Sequence, residues 1–286
     1  MPLVFKHHSQ SNFPGAPLAG MEITIGAKTF TEQYILAEAL AEDLVNNGAK
    51  VNRLDNLGSA VLFDALAADE VDLYVDYAGT LWTTILKRSE PAVQAQMLAE
   101  VTDHLSSNFG IGIVGRLGFE NAYAFAMGRI SANRLGIESI GELANQPTAL
   151  TIGGDPEFFA RPEWSRVRDI YGLEALGTRG MDSTFMYGAV RDGAVDVITA
   201  YTTDGRIDAF DLVVLDDPKQ AFPSYDAILL VSPQLTGNTA FTSVLGKWIG
   251  TIDTALMREA NGQVDLDGAT PKQAAAFLRA RIDAAR

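Results

Sequence analysis

The chain has 286 residues, 47% of them apolar and 20% charged, which is ordinary for a globular protein and enough for two lobes with separate cores. Its net charge of −14 argues against nucleic acid or an anionic membrane surface as partner, since both need clustered Lys and Arg. There is no Cys, and two of the three His (His7 and His8) lie near the N-terminus, so thiol chemistry, disulfides and a Cys- or His-built metal site are not expected.

Residues 1–21 lack the apolar stretch of a signal peptide and are expected to form a disordered leader. No apolar run reaches the roughly 18 residues of a membrane span. Glu22–Gly26 predicts the first strand. Thr29 and Glu32 have capping-box spacing, and Ile35, Leu36, Ala39, Leu40 and Leu44 then share one helical face. Val51–Leu54 predicts a second strand, Ser59 a cap for a helix through Ala68, and Val71–Val75 a third strand. Pro91 opens a long helix to about Ser107, and Phe109–Val114 reads as a buried strand.

Asn121–Met127 starts a new block and crosses to a second lobe. There a short helix near Ile137–Asn145, a strand at Ala149–Gly153, helices at Glu163–Tyr171 and up to Arg191, and strands at Val195–Ala200 and Leu212–Leu215 repeat the same logic. Asp226–Val231 returns to the first lobe. Two helices finish the chain, the last capped by Thr270 with Pro271 at its first position. Strand–helix alternation makes the class α/β. The two crossings divide it into lobe 1 (22–121 and 226–286) and lobe 2 (122–225), with the ligand cleft between them.

The two lobes echo one another. Phe63–Tyr77 (FDALAADEVDLYVDY) and Tyr187–Tyr201 (YGAVRDGAVDVITAY) each run from an aromatic through an Ala-rich helix and Val-Asp to a Tyr six residues after the Val. Thr24-Ile25-Gly26 and Thr151-Ile152-Gly153 are a weaker echo upstream. Each lobe thus offers a Tyr at the carboxyl end of a strand, where open α/β sheets bind ligands. Asp72 and Asp196 occupy matching places in the repeat, which suits turn or strand-edge residues better than paired catalytic acids.

Tyr77, Tyr123, Tyr201 and Tyr225 all fall where strands or crossings should end at the cleft. Facing aromatic rings form a cage for a cation that has no hydrogen to donate, such as a quaternary ammonium. Each desolvated cation–π contact contributes roughly 0.5–2 kcal/mol. Four can therefore account for much of the ~8 kcal/mol of a micromolar complex. Lys28 follows the first strand, and Arg161 lies after the matching strand of the second lobe. Facing the cleft, they can hold a carboxylate, Arg bidentately, with Thr80 adding a hydroxyl. Phe158, Phe159 and Trp164 read as packing. No phosphate loop, dinucleotide fingerprint, GxSxG or HExxH pattern appears, so neither an enzyme nor a cofactor is expected.

With those residues placed, the chain resembles the substrate-binding proteins of ABC importers for glycine betaine, choline and related osmoprotectants. The resemblance rests on IGAKTFTEQYILAEAL (25–40), LGSAVLFDALAADEVDLYVDYAGT (57–80), NAYAFAM (121–127), GMDSTFMYGAVRDGAVDVITAYTTDGRI (180–207) and DLVVLDDPKQAFPSYDA (211–227). It implies a two-lobed periplasmic-binding-protein fold of type II that closes about a hinge. It also implies a four-Tyr box for trimethylammonium at Tyr77, Tyr123, Tyr201 and Tyr225, and a carboxylate clamp at Lys28, Thr80 and Arg161. Gln33 lies in the same motif as a family ligand contact. The implied partners are a small quaternary ammonium ligand and an ABC permease with its ATPase, for a monomer that is periplasmic or anchored outside the cell. The segments around Glu120-Asn121-Ala122 and Pro156–Trp164 depart from the family pattern. A betaine is the expected ligand, with choline, carnitine, ergothioneine or a ligand-sensing role as alternatives.

Overall fold

The computed structural model describes residues 16–285 except Ser89, Pro91 and Pro147. The chain begins with β1 (Glu22–Lys28), α1 (Thr31–Asn46), β2 (Lys50–Leu57), α2 (Ser59–Ala67), β3 (Leu73–Tyr77), α3 (Ala78–Thr84), α4 (Gln94–Phe109) and β4 (Gly112–Glu120). It then crosses into β5 (Tyr123–Gly128), α5 (Arg129–Leu135), α6 (Ile140–Leu143), β6 (Thr151–Gly154), α7 (Pro156–Ala160), α8 (Pro162–Tyr171), β7 (Gly177–Gly180), α9 (Ser183–Arg191), β8 (Val197–Tyr201), α10 (Arg206–Ala209) and β9 (Leu212–Val214). A second crossing leads to β10 (Asp226–Val231), α11 (Thr239–Gly246), α12 (Thr254–Asp265) and α13 (Pro271–Ala284).

Two five-stranded sheets result, ordered β2-β1-β3-β10-β4 and β7-β6-β8-β5-β9. Each has three parallel strands joined by helical crossovers, then an antiparallel strand that the chain lays down just after crossing between sheets. The order is the same in both, so the sequence echo is an echo of topology. Asp72 and Asp196 make the repeat explicit. Asp72 accepts from the backbone N–H of Thr24 at 2.7 Å, and Asp196 accepts from that of Thr151 at 2.8 Å. Both aspartates tie the start of one strand to its parallel neighbour, as their matching places in the repeat suggested.

Each sheet is sandwiched by helices, as its apolar strands require. β10 is buried along its whole length, and so is β3. Ile35, Leu36, Ala39, Leu40 and Leu44 of α1 pack under the first sheet with Phe241, Trp248, Leu278 and Ile282 from the C-terminal helices. Phe125, Phe158, Trp164, Val167 and Phe222 form the main core of the second sheet.

Several local expectations are corrected. Residues 16–21 are not part of a loose leader: Leu18 is fully buried, and its N–H donates to the Asn47 carbonyl. Residues 1–15 and Pro91 lie outside the described residues. α4 runs to Phe109, where Gly110 caps it in the left-handed conformation, so the next strand starts later, at Gly112. That strand pairs with β10 alone and is only half buried, because it is the sheet's edge. Gly58 rather than Ser59 is the N-cap of α2. Three helices follow β10 instead of two. The final cap is as expected: Thr270 and Gln273 make a reciprocal capping box.

Candidate ligand-binding site

The four tyrosines meet because of strand register. Tyr77 ends β3 and lies opposite Ala227 at the start of β10, two residues after Tyr225. Tyr201 ends β8 and lies opposite Tyr123 at the start of β5. Each lobe therefore pairs the carboxyl end of a parallel strand with the entry of an antiparallel one. The crossings are laced together. The N–H of Asn121 donates to the Tyr225 carbonyl at 3.1 Å, and that of Thr202 to the Ala122 carbonyl at 3.0 Å. The Thr202 hydroxyl donates to the Glu120 carbonyl at 2.8 Å.

A cavity of about 210 Å³ opens at this junction, lined by Tyr77, Tyr123, Tyr201, Tyr225, Lys28, Thr80 and Arg161, among others. Seven of the eight residues singled out from sequence thus share one wall. Its volume is below the ~300–1,000 Å³ of pockets that take drug-sized molecules, so it suits a small ligand. The Tyr123 ring centroid is 5.0 Å from that of Tyr201 and 6.4 Å from that of Tyr225, the latter pair edge to face. Burial pushes the hydroxyls of Tyr77, Tyr201 and Tyr225 well above the ordinary tyrosine range, so the rings stay neutral at physiological pH.

The eighth residue, Gln33, stands behind the wall. Its amide donates to the Val75 carbonyl at 3.0 Å and to the Tyr77 hydroxyl at 3.1 Å, so it holds Tyr77 in place. Phe158 and Trp164 are core, as expected. Phe30, Ser59, Thr83 and Thr84 also line the cavity and were not anticipated, and Asn121, from the segment that departs from the family pattern, lines it too. Phe30 is a fifth aromatic, 6.1 Å from Tyr77 and tilted by 30°. Its place in the KTFTEQ stretch was the available signal.

Both basic residues have acidic partners. Lys28 forms a buried ion pair with Asp76, which also accepts from the Tyr74 hydroxyl. The Lys28 ammonium lies 5.4 Å from the Tyr77 ring centroid. Arg161 donates to the Tyr123 hydroxyl at 3.2 Å, and its Nε is 3.8 Å from the buried carboxylate of Glu163. Glu163 in turn accepts from the Tyr225 hydroxyl at 3.4 Å. Sequence spacing does not reveal either acid, because the pairing is tertiary.

Glu32 was expected in a capping box with Thr29. Instead Phe30 is the N-cap of α1, with no side-chain cap, and Glu32 turns inward. It accepts from the Tyr77 hydroxyl, from Asn121 Nδ2 at 3.2 Å and from Asn261 Nδ2 at 3.1 Å. Asn261 also donates to the Thr203 carbonyl at 2.9 Å, joining α12 to the end of β8. A second cavity of about 410 Å³ lies alongside, lined by Glu32, Asn261, Thr203, Asp204 and Asp265 and sharing Phe30, Asn121 and Tyr201 with the first.

Two matched α/β lobes, two crossings and a small aromatic cavity where they meet define a two-lobed binding protein. Residues 21–280 match the family described as the substrate binding domain of ABC-type glycine betaine transport systems, and the chain belongs to that family. It is 32% identical over 271 residues to a glycine-betaine-binding protein of Pseudomonas aeruginosa, covering 90% of this chain and 87% of that one. It is 28% identical to the carnitine transport binding protein of Listeria monocytogenes, covering 85% and 81%. It also matches an ergothioneine transport permease/ergothioneine binding protein of Helicobacter pylori at 27% identity, spanning 46% of that longer protein. A crystal structure of a glycine betaine/carnitine/choline ABC transporter protein aligns with a TM-score of 0.85 at 27% identity, covering 90% of this chain and 98% of that one. The protein is therefore the substrate-binding component of an ABC importer of the betaine, carnitine and choline type. It binds a small ligand, works with a permease and is not an enzyme. The family is periplasmic or extracellular. Among the described residues no helix is long and apolar enough to cross a membrane.

Proposed function

We propose that the protein captures a betaine, with glycine betaine as the first candidate, and delivers it to its permease. The trimethylammonium group sits among Tyr77, Tyr123, Tyr201 and Tyr225, and the carboxylate meets Arg161, Lys28 and Thr80. The observation that carries this reading is the single small cavity lined by all seven residues, contributed by both lobes. A ligand touching both lobes stabilises their closed arrangement, which makes capture a population shift about the crossings. The lobes divide at 121/122 and 225/226. The protein works as a monomer outside the cytoplasm, with the permease driven by its ATPase.

A second reading, a cation without a carboxylate, draws support from the two ion pairs. Lys28 and Arg161 already face Asp76 and Glu163, so an incoming carboxylate has to compete for charge that is partly matched. Carnitine and ergothioneine, named for two relatives, are larger zwitterions of the same kind. Titration calorimetry against glycine betaine, proline betaine, carnitine, choline and ergothioneine decides. Tight binding of a zwitterion with little for choline supports the clamp. Choline binding as tightly removes Lys28 and Arg161 from it, and silence across the panel overturns the cage.

A further inference from the structure

Glu32 is 2% exposed, and the groups that donate to it are all neutral: the Tyr77 hydroxyl, Asn121, Asn261 and the Thr203 hydroxyl. No ion pair among the described residues includes it. A buried carboxylate without a counter-ion is costly and rare in proteins. The nearby cation, Lys28, is taken by Asp76. Two amides turn their NH2 groups towards Glu32 and leave their own oxygens, Asn121 Oδ1 and Asn261 Oδ1, buried without a donor. Such an arrangement suits an ionised acceptor: burial raises the carboxyl above its usual range, and the hydrogen bonds from Tyr77, Thr203, Asn261 and Asn121 act the other way, in favour of the charge.

We propose that Glu32 is the counter-charge of the bound cation, a positioning residue that acts through the ring of Tyr77. This rests on the cage reading above and deepens it. The Tyr77 hydroxyl donates to Glu32 and accepts from Gln33, so the ring is fixed at its far edge while one face meets the ligand. Donation to an anion pushes electron density into the ring and strengthens its negative face, which is the face that attracts a cation. The carboxylate also adds direct attraction through a dry, low-dielectric path. When the ligand arrives, the missing positive charge arrives with it. Selectivity for a cation over an uncharged molecule of the same shape thus comes from a residue outside the cage, and the tyrosines supply the shape.

The test compares glycine betaine with 3,3-dimethylbutanoate, which has the same shape and carboxylate but carbon in place of the ammonium nitrogen. In Glu32→Gln, binding of glycine betaine should weaken by about tenfold, and binding of the neutral-headed isostere by less than about twofold. Tyr77→Phe keeps the ring and removes its hydroxyl's links to Glu32 and to the neutral Gln33 amide. It should show the same selective loss and serves if Glu32→Gln folds poorly. Equal weakening of both ligands in both variants would leave Glu32 a structural hub and overturn the proposal. A wild-type protein that binds neither cations nor isostere would remove the cage reading, and this proposal with it.

Discussion

At the residue scale the site is a set of charges that are mostly answered before any ligand arrives. Arg161 shows the balance: burial works against its charge, but Tyr123, Glu163 and Tyr225 more than offset this, and its pKa stands above the ordinary arginine value. A carboxylate that reaches Arg161 shares it with Glu163. Arg161→Ala should therefore weaken glycine betaine by about tenfold, in line with ~1.5–3 kcal/mol for a charged hydrogen bond partly matched elsewhere. Choline, without a carboxylate, should lose less than about threefold by the same measure. Equal losses in calorimetry would take Arg161 out of the clamp. Tyr201→Ala removes a whole ring face and should raise Kd by ~30-fold, the equivalent of ~2 kcal/mol for a desolvated cation–π contact. Tyr201→Phe should stay within about fivefold, because the Tyr201 hydroxyl meets only the Tyr123 hydroxyl at 3.4 Å and both are partly exposed.

At the element scale the cage depends on two strand pairs and one short helix. α3 begins directly after Tyr77, and its Gly79 lets Tyr225 come close. A Cβ at Gly79 would lie 2.8 Å from the Ser224 carbonyl oxygen and 2.8 Å from the Tyr225 ring. Gly79→Ala should push Tyr225 out of the cavity wall. Ligand affinity should fall by at least about tenfold, the worth of one ring face, with thermal stability reduced only modestly. An unchanged affinity would mean that Tyr225 is dispensable.

Legibility at this scale followed burial. β10 could be read to the residue because an unbroken apolar run, Ala227–Val231, follows Asp226 and the strand is buried on both faces. β7, Gly177–Gly180, could not, because all four residues are exposed and no apolar period marks them. α5, α7 and α11 are 5 to 8 residues long, too short to show a helical period. In the site, Tyr77 and Tyr201 were visible because an internal repeat placed them at matching strand ends, and Tyr123 and Tyr225 because they stand where the chain crosses between lobes. Glu32 was misread because Thr-x-x-Glu before an apolar run is what a helix cap looks like, and only the fold turns that carboxylate towards Tyr77. Asp76 and Glu163 lacked any local signal.

At the scale of the whole molecule, Glu32, Asp72 and Asp265 all have carboxyls raised by burial. A group whose pKa is higher folded than unfolded holds its proton to higher pH in the folded state. Each therefore lowers stability above the raised value, and that penalty is relieved as pH falls through it towards the ordinary carboxyl range. Urea unfolding of wild type and Glu32→Gln at neutral pH and near pH 5 checks the sign. Wild type should gain on the variant as pH falls; a constant gap would mean that Glu32 titrates normally.

The places along the chain from which each sheet draws its strands bear on how the chain reaches this fold at all. The second sheet draws every strand from one uninterrupted stretch, residues 123–214, and can close on itself. The first cannot. Its interior strand β10, between β3 and β4, comes from residues 226–231, and β4 has no neighbour except β10. A chain emerging from its N-terminus therefore carries an open edge at β3, with β4 idle, until the later lobe has been completed and the chain has come back. The lobe that begins first is the one that finishes last. Its final pairings span over a hundred residues, and such long loop closures are the slow steps of folding.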